Sequence, residues 1–78
     1  MIQVRTVYEA PTWRNMVDGL QQGVAHSSFA AARAAGRAIA IELGGSHEVH
    51  DTDGSVLEHH VYPLRAAGIG SAPGFYTP

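Results

Sequence analysis

A chain of 78 residues has room for one domain, and five arginines, no lysine and seven acidic residues give it a net charge of −2, the wrong sign for a protein whose main partner is a polyanion. The absence of cysteine excludes a disulfide framework and a thiolate zinc site. No stretch approaches the ~20 apolar residues of a membrane span, and the start MIQVRTVYEAPTW lacks a basic segment followed by an apolar run, so a soluble cytoplasmic protein is expected.

The segment IQVRTVY alternates Ile2, Val4, Thr6 and Tyr8 against Gln3, Arg5 and Val7, the period of two of a half-buried strand, and Pro11 ends it. TWRNMV predicts a second strand carrying Trp13. Asp18-Gly19 is a strong two-residue hairpin signal, and LQQGVA predicts the returning strand, weakened by Gly23.

From Ser28 the period becomes helical. Phe29, Ala32, Gly36, Ile39, Ala40 and Leu43 fall on one face, Ser28 can cap the first free N–H groups, and Gly44-Gly45 supplies a left-handed stop. Gly36 costs about 1 kcal/mol of helix propensity. Its place on the apolar face predicts a helix lying close against a sheet.

SHEVHD and SVLEHHVY flank Thr52-Asp53-Gly54, which predicts a second hairpin. Two registers are open. A three-residue loop over residues 52–54 sets Val49, Leu57 and Val61 on one face and His47 opposite His59, whereas a two-residue Asp53-Gly54 loop joins Val49 to Val56; the first buries more carbon. The order β-β-β-α-β-β calls for an α+β domain over residues 1–63, a small antiparallel sheet with one α-helix packed on one face. A Gly- and Pro-rich coil follows over 64–78, with Leu64, Phe75 or Tyr76 available to dock it.

Four of the five histidines and four carboxylates lie between Ser46 and Pro63. His47-Glu48-Val49-His50 is a residue short of the helical zinc-protease pattern and sits on a predicted strand, where residues three apart point to opposite faces, as do His59 and His60. Pairing across strands could join two imidazoles, but a catalytic zinc needs a third ligand, for which only His26, Asp51 or a tail residue is at hand. Polar, half-buried sheet positions are the expectation, with no metal, no cofactor and no catalytic residue. Trp13 and Tyr8 read as core. Arg33 and Arg37, one helical turn apart, read as a solvated face that could hold an anion. Gly68, Gly70 and Gly74 precede no helix, so no phosphate-binding loop is present.

The layout resembles a family of short bacterial proteins known as domain of unknown function 2188. Trp13, Asp18-Gly19, Ser28, Arg37, Gly44, Val49-His50, Asp53-Gly54 and Val56 follow the family's order at compatible spacing over residues 3 to 62. The family tends to have Ala at Gly36, an aromatic at His26 and Val at Glu48. Its apolar residue at Val56 favours the two-residue loop. The resemblance implies the fold and a bacterial origin, and assigns no activity.

Twelve of the apolar residues are alanines, and a domain this size buries only roughly 60 to 65% of the surface its unfolded chain exposes, so self-association is a natural source of further burial. The expected function is protein–protein binding by a non-enzymatic homo-oligomer. The candidate interaction face is the outer helix stripe Ala30, Ala34, Arg37, Ala38 and Ile41, with sheet edges as the competing route. Two other readings follow from the same layout. A three-stranded sheet backed by a helix also resembles the DNA-reading domains of phage integrases, for which only Arg5 and Arg14 are available, so nucleic acid is not the expected partner. A compact acidic α+β protein also suits a phage or mobile-element inhibitor of a host system.

Overall fold

A computed structural model describes residues 1–64; the tail expected from Arg65 onward lies outside the described residues. Strand β1 (Gln3–Glu9) buries Val4 and Thr6 and exposes Arg5, as its alternation predicts. It pairs antiparallel with β2 (Thr12–Val17), in a register that runs from Val4 opposite Val17 to Glu9 opposite Thr12. The Asp18-Gly19 turn has both residues at positive φ (49° and 89°), the geometry that matches the twist of a tight hairpin. The returning strand β3 is only Leu20–Gln21, shorter than LQQGVA suggests. Gly23, at φ 78°, breaks the ladder, and the chain rejoins the sheet at His26, which exchanges two 2.8 Å backbone hydrogen bonds with Trp13.

Helix α1 (Phe29–Leu43) has the expected caps: Ser28 Oγ accepts from the Ala31 N–H, and Gly44 turns left-handed at φ 66°. Its inner line is Ala32, Gly36 and Ala40, all buried, with Phe29, Ile39 and Leu43 half-buried on the flanks. Trp13 is 8% exposed and sits between Tyr8 and Phe29, with ring centroids 4.9 Å from each, so it is core, as its strand position suggests.

Strands β4 (Ser46–His50) and β5 (Val56–Val61) complete a five-stranded sheet of order β3-β2-β1-β4-β5. The expected α+β layout holds, with the helix on one face, but the sheet is mixed rather than wholly antiparallel. β3 runs in the same direction as β1, because both are antiparallel to β2. The helix carries the chain back across the sheet and lays β4 parallel to β1, with Val4 beside His47 and Thr6 beside Val49.

The β4–β5 hairpin follows neither expected register throughout. Asp51 N–H donates to Ser55 at the base of a Thr52–Gly54 loop, as the three-residue form predicts. A bulge between Val49 and His50 then shifts the ladder, so that Val49 faces Glu58 and His47 faces His60, not His59. The extra residue on β5 is Leu57.

Candidate interaction site on the β5 edge

The helix rests on β1, β2 and β4 and stops short of β5. Two surfaces result. Between α1 and β5 lies a cleft of about 480 Å³, lined by Arg33, Arg37, His47, Glu58, His60 and Tyr62. Beyond it, β5 is the sheet edge, where every residue except Glu58 is exposed. Val56, Leu57 and Val61 stand 53%, 52% and 56% open to solvent. Of the two sheet edges among the described residues β3 is two residues long, so β5 carries the longer free ladder there.

Alternation along β5 follows from the Tyr62 N–H, which donates to the Gly45 carbonyl. His60 and Glu58, two and four residues back, therefore turn their backbone groups toward His47 and Val49 of β4. His59 and Val61 turn theirs outward. Glu58 and His60 share the helix side of the sheet. There Arg33 Nε donates to both Glu58 oxygens at 3.0 and 3.1 Å, and Arg33 Nη2 reaches Oε1 at 2.9 Å. This bond to Arg33 holds the Glu58 carboxyl below its ordinary range.

The histidine cluster is split by the sheet. His47 and His60 lie on the helix side, while His50 and His59 lie on the open face around Glu48. There Glu48 accepts from His50 at 3.1 Å and lies 3.6 Å from Arg5, and the hydrogen bond from His50 leads the causes that lower its carboxyl pKa. Among the described residues no group of three or more His, Asp or Glu side chains is placed to hold a metal ion.

His47 differs from the half-buried polar residue expected, being 1% exposed. It belongs to a buried polar chain beneath the helix whose direction is fixed by donor counting. Asn15 Nδ2 donates to the Ala32 carbonyl at 3.0 Å, leaving Asn15 Oδ1 as acceptor for the Thr6 hydroxyl at 2.6 Å. With its own proton committed, Thr6 Oγ1 must accept from His47 Nε2 at 2.8 Å. Hydroxyl, imidazole and amide are the ingredients of a nucleophilic site, but here the imidazole donates to the hydroxyl instead of taking its proton, and Thr6 is fully buried. Burial is the main cause lowering the His47 pKa, with Glu58 opposing. Sequence reasoning missed Thr6 and Asn15 as partners; Gly36, the helix position that lies over them, was the available signal.

The other expected surfaces are placed as follows. Ala30, Ala34, Arg37 and Ala38 are exposed on the outer helix, and Ile41 is half-buried. Arg37 also lines the cleft, and Arg33 is engaged by Glu58. On the open sheet face Arg5 is paired with Glu48, and Arg14 lies 3.5 Å from Glu9 and donates to Gln21.

Comparison of the chain with protein families, curated proteins and solved structures finds no match. No helix among the described residues is long and apolar enough to cross a membrane.

Proposed function

We propose that this is a small non-enzymatic protein that acts by protein–protein binding, and that it does so as a homo-oligomer joined along β5. The observation that carries this reading is the β5 edge: a six-residue strand whose outer ladder is unpaired among the described residues, with three apolar side chains more than half exposed. A long apolar edge left open invites pairing with another strand, and monomeric proteins blunt such edges with charge, proline or cover. The thin core strengthens the reading, because among the described residues the buried apolar side chains are Val4, Trp13, Ala32, Ala40 and Val49. Bacterial origin and a cytoplasmic location belong to the same proposal, from the resemblance to domain of unknown function 2188 and from the cysteine-free composition.

Binding of nucleic acid is disfavoured because both open-face arginines already face carboxylates. An inhibitor of a host system would be a special case of protein binding, and the genes beside its own would identify it. Sedimentation of the purified chain tests the reading. A dimer is expected at micromolar concentration, abolished by Val61→Lys with the helical circular dichroism kept, and intact in Ile41→Glu. A dimer lost in Ile41→Glu but kept in Val61→Lys assigns the interface to the helix stripe, and a monomer at high micromolar concentration removes the homo-oligomer altogether.

A further inference from the structure

We infer that two copies pair β5 against β5 in one particular register, with His59 opposite its own counterpart on a two-fold axis, Glu58 opposite His60 and Leu57 opposite Val61. This rests on the proposed function above and specifies its interface.

Antiparallel edge-to-edge pairing places the two-fold axis perpendicular to the sheet, so both helices lie on the same side and residues that face each other come from the same side of each sheet. Only registers that pair odd-numbered with odd-numbered residues meet this condition. They are also the ones that let the outward N–H and C=O groups of His59 and Val61 find partners. Three centred registers remain. One puts Glu58 against Glu58, two like charges at the axis, which is destabilising for directly opposed residues. A second puts His60 against His60 and sets each Val61 opposite a histidine, leaving Leu57 without an apolar neighbour. The third pairs each Glu58 with an imidazole and each exposed Leu57 with an exposed Val61. It sets a carboxylate against a hydrogen-bonding imidazole on the helix side and apolar side chain against apolar side chain at either end of the pairing. At its centre the two His59 residues exchange both backbone hydrogen bonds, while the bulged Leu57 contributes its side chain.

The chain has no cysteine, so one substitution introduces one thiol. Directly opposed residues of a hydrogen-bonded pair have Cα atoms about 5.5 Å apart, within disulfide reach. In the inferred register His59→Cys therefore forms a disulfide-linked dimer on mild oxidation. His60→Cys, displaced by two residues at about 7–8 Å, and Leu57→Cys, displaced by four at about 13 Å, remain unlinked. All three sites are exposed, and unchanged circular dichroism confirms that each variant folds. Linking of the His60→Cys variant but not of His59→Cys overturns the register while leaving β5 pairing in place. Linking of none of the three, in a chain that still sediments as a dimer, overturns the inferred register, and a Glu58→Cys variant that also stays unlinked overturns the β5 interface but not self-association. A wild-type chain that sediments as a monomer overturns both.

Discussion

Replacing Gly36 with Ala should destabilise the protein even though alanine is the better helix former. A Cβ built at Gly36 would lie 2.5 Å from Asn15 Oδ1, 2.5 Å from Thr6 Oγ1 and 2.7 Å from His47 Nε2. These atoms are not free ends that can swing aside. Each is fixed by a hydrogen bond to another member of the chain, and Asn15 is tied in turn to the Ala32 carbonyl. On the favourable side the substitution gains about 1 kcal/mol of helix propensity. Against it stand about 1–3 kcal/mol for overpacking and a further ~1–3 kcal/mol for a buried polar group left without its partner. The net loss is about 1–5 kcal/mol, and its midpoint of about 3 kcal/mol lowers the melting temperature of a domain this size by roughly 12–24 °C. Thermal unfolding followed by circular dichroism at pH 7.5 measures it. An unchanged or raised melting temperature would mean that the helix does not lie on this polar chain as described.

The remaining predictions concern the same layer and the histidines. Asn15→Leu keeps the branching of the side chain but removes the donor to the Ala32 carbonyl and the acceptor for Thr6, and should cost about 2–3 kcal/mol in urea unfolding; a loss below about 0.5 kcal/mol would contradict the assigned bonds. Because burial lowers the His47 pKa in the fold, the unfolded chain takes up a proton first, so stability is full above the ordinary value of 6.5 and falls as pH drops below it. His47→Asn should be less stable at pH 8 and should lose less on going to pH 5.5, and an equally steep decline would show that another group is responsible. Glu48 and Glu58 are held below 4.5, so their contributions are present above that pH and are lost only in stronger acid, in a second step that Arg33→Gln reduces. Chelator should leave the melting temperature unchanged; a fall, restored by zinc and absent in His60→Ala, would reveal a metal site.

The local signals in the sequence were reliable where one element settles them alone. Ser28 and Gly44 cap the helix, Asp18-Gly19 turns the β2–β3 hairpin, and the alternation of β1 and β2 gives the buried face, because capping, turn conformation and pleat are properties of a few adjacent residues. What could not be read depends on partners distant in the chain. Parallel pairing of β1 with β4 is decided by where the helix returns the chain. A bulge at Leu57 changes the partner of His47 without any glycine or proline to announce it. Thr6, Asn15 and His47 look like ordinary polar strand residues, and only their shared position beneath Gly36 makes them a core. The apolar edge was partly legible: Leu57 and Val61 read as one face of a strand, but nothing local said that the helix would leave that strand uncovered.

Self-pairing along β5 is tested most directly by amide hydrogen exchange at His59 and Val61. In a single copy these N–H groups point away from β4 and exchange freely, whereas in the paired sheet the His59 N–H is bonded to its counterpart and that of Val61 faces the second strand. Measured by NMR across a dilution series, protection at both positions should rise with protein concentration, while the Gly54 amide, bonded within its own turn, stays constant. Fast exchange at His59 and Val61 at every concentration, in a chain that is folded throughout, would contradict the account.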